Sequence, residues 1–182
     1  NNSPTDVSLV AAGRDVFYAN VQIAGPGTLE VSAGRNLYQG NQASLVSIGP
    51  IVEGDTRPGA EIAIQVGLGA GSVGEGQADY AALADRYLDP ANQADTRPGY
   101  PLAEQPGKVA HTYQDELAAW LLERYGRDAD GNARAAGLRF ADDGSPVVFD
   151  AAAQSPQAFF ARLAPEHQRI FLRQVYYAEL TQ

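Results

Sequence analysis

The chain of 182 residues has no cysteine and no methionine, a single tryptophan, two histidines and one lysine, Lys108. The missing thiols exclude disulfides, thiolate metal sites and cysteine nucleophiles together. A cysteine-free chain also suits passage through an oxidising periplasm, where it can form no wrong disulfide. The missing initiator methionine points to a fragment of a longer chain, so a targeting signal can lie outside it. The first residues, NNSPTDVSLV, carry neither a basic start nor an apolar h-region and do not read as a signal peptide. No run approaches the roughly 20 apolar residues of a membrane-spanning helix, so no membrane insertion is expected. Positive charge is scarce as well: 13 basic residues face 22 acidic ones, the net charge is -9, and the bases are scattered. Duplex nucleic acid and anionic lipid are therefore poor partners.

What is present argues for a folded protein: 45% of the residues are hydrophobic, and the length suffices for one sizeable domain or two small ones. The two halves are written differently. Residues 1 to about 76 hold most of the glycines, short alternating apolar runs and turn dipeptides, the signature of strands. Residues 77–182 are rich in Ala, Leu, Arg, Glu and Tyr at helical spacing.

The first half repeats itself. VAAGRDVFYAN at 10–20 is echoed by VSAGRNLYQGN at 31–41, an offset of 21 residues that matches Val10 to Val31, Ala12 to Ala33, Gly13 to Gly34, Arg14 to Arg35, Asp15 to Asn36 and Val16 to Leu37. VQIAGP from Val21 pairs with VSIGP from Val46, and TLEVSAG from Thr28 with EIAIQVG from Glu61, with a ten-residue insertion near IVEGDTRPGA. Echoes in constant order are what successive coils of a parallel β-solenoid produce. Gly13 and Gly34 would turn a corner where a Cβ does not fit, Asp15 and Asn36 would form a polar ladder, and Arg14 and Arg35 would face solvent. A β-sandwich with similar hairpins is the weaker alternative, because the match runs through strands and turn alike.

These residues carry a family resemblance. The AGRD and AGRN repeats between short aliphatic strands resemble those of filamentous haemagglutinin-like exoproteins of bacterial two-partner secretion. The run QIAGPGTLEVSAGRNLYQG, then SIGP and GDTRPGAEIAIQVGLGAG, is similar to a region near the C-terminus of one branch of that family. So are YLDP at 87–90 and LAPEHQRIFLRQVYYAEL at 163–180. The resemblance implies a secreted or cell-surface, adhesin-like protein. Its partners would be a host or bacterial surface receptor, protein or glycan, and an outer-membrane transporter.

In the helical half, Thr112-Tyr-Gln-Asp115 reads as a helix N-cap close to a capping box. Tyr113, Leu117, Trp120 and Leu121 then share a face, and Gly126 supplies the stop. Ser155-Pro156 starts a shorter helix through Leu163, and Pro165 opens the last one, with Ile170, Phe171, Val175 and Ala178 on one face. LRFADDGSPVVF at 138–149 suggests a small edge hairpin. Phe159, Phe160, Phe171, Tyr176 and Tyr177 are expected to pack and close the end of the solenoid.

Several apparent motifs dissolve in context. Gly69-Ala-Gly71-Ser-Val-Gly74 fits G-x-G-x-x-G, yet the chain beyond Leu88, with four prolines in DPANQADTRPGYPLAEQPG, offers no second buried strand for a dinucleotide fold. Ser72 in a loose nucleophile elbow lacks the preceding α/β layers. His111 and His167 have no metal-ligand spacing, and in Asp128-Ala-Asp130-Gly-Asn132 the glycine comes too early for an EF-hand, leaving calcium the lesser alternative. Asp142-Asp143-Gly144 and the two DTRPG copies at 55–59 and 95–99 read as turns.

The expectation is thus a mixed β and α chain: a right-handed parallel β-helix over 1–70, a connection over 71–110 with a short helix at 78–88, and an α-helical cap over 111–182. No catalytic, cofactor or metal residues are expected; the structural repeat residues are Gly13, Arg14, Asp15, Gly34, Arg35 and Asn36. Two competing readings remain open. One is a toxin-like effector in 77–182 relying on His111, Glu116 or His167. The other is a carbohydrate-binding surface made of Phe17, Tyr18 and Tyr38.

Overall fold

A computed structural model describes residues 1–67 and 79–181. The chain divides into two compact units, Asn1–Ala78 and Asp79–Gln182.

In the first unit the strands are β1 (Val7–Ala12), β2 (Val16–Phe17), β3 (Val21–Ala24), β4 (Thr28–Ala33), β5 (Leu37–Tyr38), β6 (Leu45–Gly49) and β7 (Glu61–Gln65). They pair in parallel in three small sheets, ordered β1-β4-β7, β2-β5 and β3-β6. The register sets Val10 beside Val31, Ala12 beside Ala33, Val16 beside Leu37, and Val31 beside Ile64. Leu29, Val31 and Ala33 are each 1% exposed. Ile23, Leu29, Val31 and Ala60 form the core, with Val10, Val21, Leu45 and Ile62 packed on it. Each buried aliphatic side chain contributes about 1.5–3 kcal/mol. The other face of β4 is buried too, at Thr28 and Glu30, which strand alternation assigns to the opposite side from Leu29 and Val31.

The expected fold class requires correction. Among the described residues there is no right-handed parallel β-helix; the protein is a mixed α/β chain with short parallel strands in three small sheets and four α-helices. The physical reason is brevity. The 21-residue echo occurs once, two of the sheets have two strands each among the described residues, β2 and β5 are two residues long, and the segment 50–60 separates β6 from β7.

The second unit holds α1 (Tyr80–Tyr87), α2 (Gln114–Tyr125), α3 (Pro156–Arg162) and α4 (Pro165–Leu180). It has a core of its own: Leu117, Trp120, Leu121 and Tyr125 of α2, Phe159 and Phe160 of α3, and Ile170, Phe171 and Val175 of α4 are all buried. The Trp120 ring lies 5.3 Å from Phe171 and 5.5 Å from Tyr125, and Phe159 is 5.1 Å from Phe149. Such tilted and edge-on pairs add about 0.5–1.5 kcal/mol beyond their buried area. Tyr177, by contrast, is exposed.

Local signals explain most helix ends. Ser155 caps α3 by accepting the Ala158 amide, Pro156 and Pro165 take first-turn positions, and α2 stops at Gly126. The capping box at Thr112 does not form. The cap residue is Tyr113, and the Thr112 amide and hydroxyl instead donate to Gln93 Oε1 at 3.0 and 3.1 Å. The 138–149 segment makes a single antiparallel bridge, Arg139 to Pro146, with Phe140 N donating to Ser145 O at 2.9 Å. Both carboxylates of its turn, Asp142 and Asp143, bind Arg162.

Candidate functional site

Two arrangements of exposed, chemically capable side chains stand out, one in each unit. In the first, pairing of β2 with β5 places Phe17 beside Tyr38. Inward Val16 is buried, so alternation sends Phe17 outward. The two rings stack at 4.8 Å with only 8° between their planes, and Tyr18 joins at 6.4 Å from Phe17, tilted by 48°. Phe17, Tyr18 and Tyr38 are 60%, 67% and 47% exposed. Tyr18 is the one non-glycine residue of positive φ among those described, at 51°, and its amide donates to Tyr38 O at 2.7 Å. Its ring lies over Gly40, where an added Cβ would come within 3.0 Å of the ring. A tyrosine held in the left-handed region costs energy that hydrogen bonding and packing must offset, and such residues concentrate at functional sites.

The polar surroundings are ordered by the same stacking. Asp15 accepts from Arg35 and, at 3.1 Å, from Asn36 Nδ2. The Arg35 guanidinium, and secondarily the Asn36 amide, hold the Asp15 carboxyl below its ordinary range. Gln39 Nε2 donates to Ala19 O at 2.9 Å, and Ser44 Oγ to Asn20 Oδ1 at 3.2 Å. The repeat residues therefore fall as follows. Asp15 and Asn36 do meet across the stack. Arg35 does not simply face solvent but crosses to Asp15, while Arg14 is exposed. Gly13 has open space where its Cβ would be, so no steric need for glycine exists there. Gly34 is buried, its amide donating to Ala12 O at 3.0 Å.

In the second unit, His111 Nε2 and Glu116 Oε1 are 2.8 Å apart, and the imidazole sits edge-on to Tyr113 at 4.6 Å. The Tyr113 hydroxyl donates to Glu179 Oε1 at 2.6 Å. Burial, reinforced by the Glu179 carboxylate, raises the phenols of both Tyr113 and Tyr87 above their ordinary value. His167 belongs to a different place: it is buried, its Nδ1 is 3.1 Å from the Tyr125 hydroxyl, and burial pushes that phenol up to about 12. The three effector candidates thus do not converge, since His111 and Glu116 pair while His167 is part of the core.

Asp128 Oδ1 accepts the amides of Asp130 and Asn132, a self-satisfied loop, and among the described residues no three His, Cys, Asp or Glu side chains group as a metal site. The G-x-G-x-x-G stretch Gly69 to Gly74, with Ser72, lies outside the described residues. Among the described residues no helix is long and apolar enough to cross a membrane. Sequence reasoning missed the Asp–Arg clamps of the DTRPG copies and the Leu88 carbonyl, which accepts from both Gln114 and Gln157. The duplicated pentapeptide was the available signal for the clamps; nothing local marks Leu88.

No protein-family model matches the chain, and no solved structure matches it.

Proposed function

We propose that the chain is a structural segment of a secreted or surface-displayed bacterial adhesin-like exoprotein, with the Phe17–Tyr18–Tyr38 surface presented for binding. The resemblance of the AGRD, AGRN and DTRPGAEI runs to filamentous haemagglutinin-like exoproteins supports the class. The observation that carries the binding role is the stacked, exposed aromatic surface with its left-handed Tyr18. Rings with a polar rim suit the apolar face of a sugar or the side chains of a receptor protein. A glycan array probed with the whole chain tests the first: binding to a restricted set of glycans, reduced about tenfold or more by Phe17→Ala or Tyr38→Ala, is the expected result. Binding left unchanged by both substitutions would remove the surface from the proposal.

An effector role for 77–182 draws on one observation, the His111–Glu116 pair beside Tyr113. A carboxylate-oriented imidazole has the elements of a general base. Production of 77–182 in a bacterial cytoplasm discriminates: growth arrest relieved by His111→Ala or Glu116→Gln would replace the structural reading with the enzymatic one.

A further inference from the structure

The pentapeptide DTRPG stands once in each compact unit, and both copies fold into the same clamp. In the first, Asp55 Oδ1 accepts the Arg57 amide at 3.0 Å and Arg57 Nε at 2.9 Å, while Oδ2 accepts Nη2 at 2.6 Å. In the second, Asp95 Oδ1 accepts the Arg97 amide at 2.9 Å and Nε at 3.0 Å, while Oδ2 accepts Nη2 at 2.5 Å. Each clamp occupies one edge of the guanidinium and leaves Nη1 directed away from its aspartate. Arg57 uses that nitrogen to hold the main-chain carbonyl of Asn2 at 2.7 Å, reaching 55 residues back along the chain. Among the described residues Arg97 Nη1 has no hydrogen-bond acceptor.

We propose that the loop 95–102 docks a proline-containing segment of a partner polypeptide, whose main-chain carbonyl accepts a hydrogen bond from Arg97 Nη1 as that of Asn2 does from Arg57. Three observations fit this occupant. The Arg97 charge is already compensated by Asp95, which favours a neutral carbonyl over an anion. The guanidinium is fixed before any partner arrives, by the clamp and by lying 4.8 Å over the Tyr100 ring, so little side-chain entropy is lost on binding. The loop is cross-braced by hydrogen bonds: Gln105 accepts the Asp95 amide at 2.7 Å and donates to Asp95 O and Tyr100 O, both at 2.9 Å, and Gly99 turns the chain at φ 89°. Tyr100 stands beside the donor, and Tyr100 and Leu102, flanking Pro101 in the chain, are each about half exposed. Aromatic and proline surfaces of this kind accept proline-bearing chain. The segment held by the first copy also bears a proline, since Asn2 leads into Ser3-Pro4, a turn closed by Asp6 N donating to Ser3 O at 3.1 Å.

This site is separate from the aromatic surface of the other unit and does not rest on its role. The test is a nuclear magnetic resonance titration of the whole 15N-labelled chain with the acetylated, amidated peptide NNSPTD. Saturable shifts at the Arg97, Gly99 and Tyr100 amides are expected, weakened about tenfold or more by Arg97→Gln and by Tyr100→Ala and retained in Phe17→Ala. Tyr100→Ala leaves the clamp itself in place, so a loss there cannot be blamed on its collapse. No shift in the loop at millimolar peptide, equal binding by Arg97→Gln, or displacement of the peptide by inorganic phosphate would each overturn the proposal.

Discussion

Gly25 sits at φ +77°, and a Cβ added there would lie 1.9 Å from the Asn1 carbonyl oxygen. The N-terminal amino group next to it donates to Ala24 O at 2.8 Å. Gly25→Ala therefore meets strain and a clash with backbone at once and is expected to destabilise the first unit by about 2 kcal/mol or more, read as a lowered urea midpoint in the β-sheet circular dichroism. Titration acts at this scale too. The Asp55 carboxyl is held down to about 2 by the Arg57 side chain and amide, and Asp15, Asp95 and Asp142 are lowered by Arg35, Arg97 and Arg162. A folded-state value below the unfolded one means that the stabilisation is present above the ordinary 3.8 and disappears as pH falls towards 2. These groups are exposed, so the acid loss is expected to be shallow and to weaken further in high salt. At the alkaline end the sign reverses. The Tyr125 phenol, raised from 10 to about 12 by burial, supports the fold fully below pH 10 and ceases to do so as pH climbs through 12. Unfolding of the helical unit is thus expected to set in above pH 10, and Tyr125→Phe, which keeps the ring, is expected to delay it.

Among the elements, α2 is the most instructive. Its Leu117 and Leu121 are fully buried, and Trp120 and Tyr125 complete the same face. Leu117→Ala is expected to cost about 2–5 kcal/mol, the usual range for a large-to-small change in a packed core. The face was legible because period 3.6 is written into Tyr113, Leu117, Trp120 and Leu121. The start was not: the side chain of Gln93, distant in sequence, captures Thr112 and moves the cap to Tyr113. The end of α3 makes the same point. Its carbonyls at Phe160 and Leu163 are satisfied by Gln168 Nε2 at 2.9 Å each, from the following helix. For the strands the relation is the opposite. The 21-residue offset gave the β1–β4 and β2–β5 partners residue for residue, because stacked parallel strands align equivalent positions. It could not give the extent of the sheets, which depends on which strands the chain brings side by side.

For the whole molecule, two units with separate cores predict separable unfolding. Trp120, the single tryptophan, belongs to the second unit and reports on it alone. Leu117→Ala is expected to lower the fluorescence midpoint while Gly25→Ala leaves it in place. Coincident shifts of both probes by either substitution would show one cooperative body instead. The change of composition near residue 77, the 21-residue register and the helical faces all follow from periodicity, a property local to the chain. The aromatic surface was half visible: Phe17, Tyr18 and Tyr38 could be suspected, but their coplanar stacking required β2 to lie directly beside β5. Tertiary structure alone decided the rest. It limited the strands to three small sheets, brought Arg35 across to Asp15, buried Glu30, separated His167 from His111, and turned two identical turns into clamps with one donor engaged and one left outward. Each of these depends on which distant atom arrives at hydrogen-bonding distance, and no period along the chain encodes that.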